Sequence, residues 1–218
     1  MFFQNKSTTF GSILVIQTMT SIITGDIINS KRNSPRTWLD ALKSVLGDYG
    51  SNPKQWDIYR GDSFQLEVSP DQALRACLLI KATIKQFKNL DVRLAIGIGE
   101  KTFHSEKITE SNGTAFVNSG TCFEALKKTT LAIKSPFETF DHTLNIMLEL
   151  AQLTMNFWSS TSATLVKTAL KHPDLNQKQL AEMLEKTQGN ISQGLKRAGY
   201  DEITKLLAFY NTQIQILC

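Results

Sequence analysis

The first half of the chain alternates short apolar runs with amphipathic stretches, and this pattern predicts its secondary structure. Apolar β-branched runs bounded by glycine, aspartate or proline indicate strands, and apolar residues three or four positions apart indicate helices. The predicted strands cover residues 21–27, 56–60, 63–68, 91–100 and 130–133, and the predicted helices cover 35–46, a stretch from Pro70 onward and 115–128. This order predicts an α+β fold with a ferredoxin-like or palm sheet and helices on one face.

Two local signals add detail to these elements. Ser69, Pro70 and Gln72 have the spacing of a capping box with proline at the first helical position, which predicts where the second helix begins. Gly97 and Gly99 interrupt an otherwise apolar strand. Glycines in a central strand indicate the close approach of another backbone or of a ligand.

After Pro136 the strand signal disappears and every later segment has helical periodicity. The stretch 141–158 predicts one long helix with an apolar stripe that includes Leu144, Leu148 and Met155. A domain boundary is therefore predicted near Ser159. The predicted organisation is a possible N-terminal extension at 1–18, an α+β domain at 19–140, a linking helix at 141–158 and an all-α domain at 159–218.

Composition and charge narrow the classes of protein that this chain fits. Its 218 residues are 41% hydrophobic and 20% charged, with a net charge of +4 that permits a polyanionic partner without requiring one. Cys77, Cys122 and Cys218 form no CxxC pair and have no histidine at metal-ligand spacing, which argues against zinc and disulfides and favours a reducing cytoplasm. The apolar run 10–24 is short for a membrane span, which takes about 20 apolar residues.

A Gly-Asp dipeptide occurs at the end of the first predicted strand and again at the tip of the predicted hairpin. If these strands are neighbours, Asp26 and Asp62 meet at one edge of the sheet, as a site for Mg²⁺ or Mn²⁺ and a nucleotide requires. The loop after Asp26 offers backbone N–H groups and the cations Lys31, Arg32 and Arg36 to a triphosphate. The alternative is that each Gly-Asp serves only as turn chemistry.

The segments "ITGDII", "YRGDSF", "RLAIGIGE" and "GTAFVNSG" occur in this order and resemble the palm-type catalytic domain of class III nucleotidyl cyclases. The resemblance covers residues 21–135 and implies that Asp26 and Asp62 bind metal, that the Ile27 carbonyl is a backbone ligand and that Asn118 orients a ribose. Together with the loop, it gives a predicted nucleotide-binding set: Gly25, Ile27, Asn29, Ser30, Lys31, Arg32, Arg36, Gly61 and Asn118.

Two positions depart from the cyclase pattern. Cys122 stands where those enzymes carry a transition-state arginine, and Ile58 stands where they place a purine-reading lysine. Loss of such a stabilising cation costs on the order of a hundredfold or more in rate. Two readings stay open: a domain that binds a metal-nucleotide complex without turning it over, and an enzyme whose missing cation comes from Arg32, Arg36 or a partner subunit.

The stretch 176–199 has the apolar spacing of two short helices joined by a turn, preceded by a helix at 162–171, which predicts a helix-turn-helix. Glu185-Lys186 occupies the turn, where glycine often supplies the left-handed residue. The second helix exposes amides, hydroxyls and cations suited to base edges and phosphates: Thr187, Gln188, Asn190, Ser192, Gln193, Lys196 and Arg197. The alternative is a helical hairpin that only packs or dimerises.

The palm-like front, this tail and "SGTCFEALKK" near their junction together resemble the SatD family of bacterial proteins, over nearly the whole chain after Met19. The resemblance implies a cyclase-like domain joined to a helix-turn-helix domain. We therefore expect a cytoplasmic, nucleotide-responsive DNA-binding regulator, with a homodimer expected by analogy with palm cyclases and no membrane partner. The alternatives are an active nucleotidyl cyclase or oligonucleotide synthase, and a pair of interaction modules without a ligand.

Overall fold

The structure is a computed structural model that describes residues 19–32 and 35–218, with no side-chain description for Arg32, Pro35 and Arg36. The predicted N-terminal extension at 1–18 lies outside the described residues. The described chain has a mixed α+β architecture, in which one five-stranded sheet is surrounded by helices. No helix in this part of the chain combines the length and the apolar character needed to cross a membrane.

The five strands are found within one residue of their predicted ends. They are β1 (Thr20–Ile28), β2 (Trp56–Tyr59), β3 (Ser63–Val68), β4 (Asp91–Gly99) and β5 (Leu131–Lys134). Their spatial order is β2-β3-β1-β4-β5. The pairs β2/β3, β3/β1 and β1/β4 are antiparallel, and β4/β5 is parallel. The sheet therefore places β1 and β4 at its centre, where their continuous apolar runs are buried on both faces.

Eight α-helices complete the described fold: α1 (Pro35–Gly47), α2 (Pro70–Ile84), α3 (Thr114–Ala125), α4 (Glu138–Met155), α5 (Ser160–Lys171), α6 (Gln177–Met183), α7 (Gln188–Arg197) and α8 (Tyr200–Leu217). The predicted capping box at the start of α2 is wrong. Ser69 accepts no capping bond through its side chain. The Gln72 amide donates instead to the neighbouring carboxylate of Asp71 at 2.8 Å, so it does not reach back to close the box.

The prediction that the helices lie on one face of the sheet is wrong for α3. Helices α1 and α2 pack against the face that carries Ile23, Leu94 and Ile96 in the main hydrophobic core. Helix α3 covers the opposite face of β1, β4 and β5. Gly97 makes this contact possible, because a Cβ there would lie 2.1 Å from the backbone nitrogen of Ser119 in α3. The close approach predicted from the glycine is confirmed, and its partner is backbone.

Helix α4 closes the edge of the sheet at β5. The Asn145 side-chain amide accepts from the N–H of Ile133 and donates to its carbonyl, both at 2.9 Å. Two helical turns later, the Gln152 oxygen accepts from the N–H of Leu131 at 3.0 Å and its nitrogen donates to the Leu131 carbonyl at 2.9 Å. These amides satisfy the strand edge as a further strand would, so β5 is not available for edge-to-edge pairing.

The C-terminal helices form a small core of their own and also join the main core. The small cluster lies among α5, α6 and α7 and consists of Leu165, Ala169, Leu180, Ala181, Ile191 and Leu195. The main cluster extends to Val166 of α5 and to Tyr210 of α8, whose hydroxyl donates to the carbonyl of Pro70. The predicted boundary near Ser159 coincides with the N-cap of α5, and buried packing continues across it. The division of the chain into two separate domains stays a prediction.

Candidate functional site

The pairing of β1 with β3 brings the two Gly-Asp aspartates to one place. In the register of these strands Asp26 lies opposite Ser63, the residue after Asp62. The N–H of Ile27 donates to the backbone carbonyl of Asp62 at 3.1 Å, which holds the hairpin tip beside β1. Both carboxylates line an open cavity of about 520 Å³, together with residues 27–31 and Arg93.

The loop after β1 supplies most of the remaining polar groups of this cavity. The Ser30 hydroxyl donates to the Asp62 carboxylate at 2.6 Å. Asn29 has a left-handed backbone with φ of 62°, and its side-chain nitrogen donates to the carbonyl of Asn89 at 3.1 Å. Lys31 is exposed at the rim. The side chains of Arg32 and Arg36, predicted for phosphate contact, are outside the part of the chain that the structure describes.

Arg93 is a charged member of this site that the sequence did not single out. It lies directly opposite Asp26 in the β1/β4 register, and its Nε donates to Asp26 Oδ1 at 2.9 Å while its Nη2 donates to Oδ2. The guanidinium also lies over the ring of Phe123, 5.1 Å from its centroid. The hydrogen bond to Asp26 raises the pKa of Arg93 further. Only the strand register shows that Arg93 reaches this carboxylate.

The donor set of the cavity fits a hard divalent cation that keeps part of its water shell. The described residues contain no group of three or more histidine, cysteine or acidic side chains placed to hold a metal. Mg²⁺ commonly binds through one or two carboxylates plus substrate phosphates, and Asp26 and Asp62 offer two. Arg93 neutralises Asp26 in this arrangement, so a cation at Asp26 has to displace or share with the guanidinium.

The two glycines of the predicted nucleotide set have local structural roles. A Cβ on Gly25 would lie 2.5 Å from the ring of Phe64, so this position is required for packing within the sheet. Gly61 has a φ of 87° at the hairpin tip, in the left-handed region that glycine accommodates without strain. The turn-chemistry alternative therefore holds for Gly61, whereas Gly25 lies within β1 and serves sheet packing.

Asn118, predicted to orient a ribose, does not line the cavity within this chain. Its side-chain nitrogen donates to the carbonyl of Ile98 at 2.8 Å. Ile98 is five residues along β4 from Arg93, which corresponds to about 16 Å. Cys122, predicted to stand at the position of the cyclase arginine, lies on the buried side of α3, and burial raises the pKa of its thiol to about 12. Ile58 packs against the main core.

The second candidate surface is the outer side of α7, which we call the α7 surface. All seven residues predicted to contact DNA are exposed there: Thr187, Gln188, Asn190, Ser192, Gln193, Lys196 and Arg197. The opposite side of the helix buries Ile191, Gly194 and Leu195. The connection from α6 turns at Glu185, which adopts the left-handed conformation with φ of 53°, where glycine is more usual.

No protein-family model matches the chain, and no curated protein matches it either. The resemblance to the SatD family therefore stays a prediction from the sequence.

Proposed function

We propose that this protein is a DNA-binding regulator whose α/β part binds a nucleotide together with a divalent cation. The observation that carries the proposal is the α7 surface, on which seven polar or cationic side chains are all exposed while the apolar side of α7 is buried. No acidic residue occurs between Lys186 and Gly199. Amides can read adenine edges and cations can hold phosphates, so this surface suits the major groove.

The arrangement around α7 supports a helix-turn-helix. Residues 184–187 connect α6 to α7, and both helices share the small core with α5. The N-terminus of α6 is closed by a full capping box between Asn176 and Gln179, and Thr187 caps α7 by accepting from the N–H of Asn190. Capped short helices on a common core give a recognition helix a fixed orientation, which specific base contacts require.

The sheet supports the nucleotide part of the proposal. The order β2-β3-β1-β4, with a helix after β1 and another between β3 and β4, is the connectivity expected of a ferredoxin-like or palm domain. In such a domain the end of β1 and the following hairpin tip carry the metal ligands, and here they carry Asp26 and Asp62.

An active nucleotidyl cyclase or oligonucleotide synthase is the second candidate, favoured by the same pair of carboxylates. Mass spectrometry of the protein incubated with the four ribonucleoside triphosphates and Mn²⁺ distinguishes the two. A cyclic or oligomeric product that is lost in Asp62→Ala would establish the enzyme. Retained, unreacted nucleotide would support a sensor, in agreement with Cys122 standing where a cation is needed.

Nucleotide binding should be lost when Asp62 is neutralised. Asp62→Asn removes one of two carboxylates that share the cavity, so Mn²⁺ and nucleotide together should no longer raise its melting temperature. At a hundredfold excess over Kd the wild-type gain is about 2.7 kcal/mol, or about 5 to 10 °C for a chain of this size. Differential scanning fluorimetry with and without each ligand measures the shift.

Asp40→Asn is the matched control, because Asp40 is an exposed aspartate on α1 and does not line the cavity. It should keep the full wild-type shift. An equal shift in Asp62→Asn and in wild type would contradict the metal-nucleotide site. Absence of any shift in wild type, for all four nucleotides, would support the alternative of interaction modules without a ligand.

DNA binding should respond differently to two substitutions on the α7 surface. Lys196→Ala should weaken binding to all sequences and reduce the salt slope by about one, because one phosphate contact is lost. Gln193→Ala should relax discrimination between sites while leaving non-specific affinity nearly unchanged. Fragments recovered from a genomic library by the wild-type protein supply the probe, and titration at several salt concentrations supplies the slope.

Lys128→Ala is the charge-matched control for this experiment. Lys128 is exposed beyond the C-terminus of α3, on a different part of the described surface. Its substitution should change neither the salt slope nor site preference. If Lys196→Ala and Lys128→Ala behave alike, or if Gln193→Ala leaves discrimination intact, α7 is not a recognition helix.

A further inference from the structure

Helix α4 carries an apolar stripe on the side that faces away from the sheet. Four large side chains form it, with exposed fractions of 49% for Ile146, 62% for Leu150, 70% for Leu153 and 82% for Phe157, the last one just beyond the helix. Their spacing of four, three and four residues is the alternation of positions a and d in a coiled coil. The buried side of the same helix uses a different set, including Leu144 and Leu148. We call the exposed set the α4 stripe.

Charges on the two sides of the α4 stripe have opposite signs. Helix α4 contains three acidic residues and neither lysine nor arginine. Glu149 lies next to the stripe on the side of β5, where Asp141 and one cation, Lys134, line the same pocket. The other side is an open cleft of about 650 Å³ between α4 and α8, with Leu150 and Leu206 among its apolar residues. Lys196, Arg197 and Lys205 line this cleft along with one acid, Glu202.

The positions of these charges around α4 determine which partner fits the stripe. Successive residues of a helix are 100° apart, which places Glu149 about 70° to one side of the stripe and Thr154, a residue of the cleft, about 70° to the other. A two-fold axis parallel to α4 brings the Glu149 side of one copy against the Thr154 side of the other. A two-fold axis perpendicular to α4 would bring like sides together, acid against acid and base against base.

We propose that the occupant of the α4 stripe is a second copy of this chain, paired with its α4 parallel to the first. The stripes meet as a short a/d seam, and each Glu149 lies beside the partner's Lys205 in the cleft, which leaves Lys196 and Arg197 to the α7 surface. The four side chains that are exposed in one copy are then covered, and each acidic flank meets a basic one. The interface uses no residue of the carboxylate cavity, so its existence does not depend on nucleotide binding.

A parallel pair has a consequence for α7. The indole nitrogen of Trp158, just after α4, donates to the carbonyl of Ala198 at the end of α7 at 2.9 Å. The end of α4 and the end of α7 are thereby tied, so a two-fold axis along α4 places both α7 surfaces at the same end of the dimer. This consequence rests on the proposed DNA-binding function, because two recognition helices on one side of a dimer suit two half-sites.

Sedimentation of the full chain tests the stripe. Wild type should be a dimer, and both Leu153→Glu and Phe157→Glu should be monomers with unchanged circular dichroism, since these side chains are mostly exposed in a single copy. Val117→Glu is the control, because Val117 is 61% exposed on α3 and should leave the dimer intact. A monomeric wild type, or a dimer that survives both glutamates, would overturn the proposal.

Cysteine cross-linking tests the direction of the helices. In a Cys218→Ser background, which removes the exposed native cysteine, Ile146→Cys and Phe157→Cys should each form an intermolecular disulfide under mild oxidation. A parallel pair places every stripe residue beside its own copy, whereas an antiparallel pair does so only near the two-fold axis. Cross-linking at only one central position, such as Leu150→Cys, would overturn the parallel arrangement.

Exchange of two charges tests whether Glu149 and the partner's Lys205 meet across the interface. Glu149→Lys and Lys205→Glu should each raise the dimer Kd by roughly tenfold at low salt, since each places like charges together, and the double variant should recover most of the loss. Glu124→Lys, an exposed acid on α3, is the control that should leave Kd unchanged. Additive losses in the double variant would mean that the two groups do not meet across the interface.

Discussion

Gly97→Ala is expected to destabilise the protein by about 3 kcal/mol or more, the upper range for overpacking a core. The added methyl would lie 2.1 Å from the backbone nitrogen of Ser119 and 2.3 Å from the carbonyl oxygen of Ala115. Both atoms belong to the backbone of α3, so no side-chain rotation relieves the contact. Thermal unfolding should show a melting temperature lower by about 6 to 12 °C.

Gly120→Ala is the matched control, because it adds the same methyl group within α3 itself. No atom lies within 4 Å of a Cβ at that position, and alanine is a better helix former than glycine. This variant should be more stable than wild type by about 0.5 to 1 kcal/mol. Equal stability of the two variants in urea unfolding would show that α3 does not lie directly on β4.

The close contact of α3 with β4 also positions the carboxylate cavity. The Ser119 hydroxyl hydrogen-bonds that of Thr24 on β1, and Phe123, one turn further along α3, lies against the guanidinium of Arg93. Arg93 in turn pairs with Asp26. Displacement of α3 by a methyl at Gly97 should therefore loosen the pairing of Arg93 with Asp26.

Periodicity predicted the elements of the fold better than it predicted their arrangement. The five strands and the Gly-Asp hairpin follow from local apolar alternation and turn residues, which act within a few positions along the chain. The face that α3 covers does not follow, because β4 is apolar on both sides and the glycines indicate a close approach without indicating its direction. Packing between residues far apart in the sequence determines which face α3 covers.

In the carboxylate cavity, the meeting of the two aspartates was predictable from the sequence, and their cationic neighbour was not. Adjacency of β1 and β3, once assumed, places Asp26 and Asp62 together without further information. Arg93 was not predictable, because an arginine in an apolar strand reaches a particular carboxylate only through strand register. On α4 the predicted apolar stripe with Leu144, Leu148 and Met155 is the side that the structure buries, whereas the second apolar side, which stays exposed, was not predicted.

Among the ion pairs of the described structure, loss of the Asp91 carboxylate in Asp91→Ala should lower the unfolding free energy the most. Its carboxylate accepts from Lys81 Nζ at 2.8 Å, and the Lys81 side chain has no solvent exposure. Burial lowers the pKa of Lys81, while the charge of Asp91 opposes that shift. Without Asp91 the ammonium keeps only the Thr130 hydroxyl as a partner, at 3.0 Å. A buried charge stripped of its partner costs about 3 to 5 kcal/mol in unfolding free energy.

The double variant Lys81→Met/Asp91→Ala should be more stable than Asp91→Ala, since methionine leaves no charge to desolvate.

The two variants should also differ in how their unfolding free energy depends on pH. In Asp91→Ala the native pKa of Lys81 falls further below its unfolded value, and between those two values the unfolded state binds more protons than the native state. Stability must then rise with pH in that window. The loss of unfolding free energy in Asp91→Ala relative to wild type should therefore become smaller as the pH rises. Urea unfolding from neutral pH to pH ~9.5, below the unfolded lysine pKa of about 10.4, measures this change. The double variant should show no such gain of stability with pH. If the loss of stability in Asp91→Ala does not depend on pH, it comes from lost packing or from Lys85 and not from the buried ammonium.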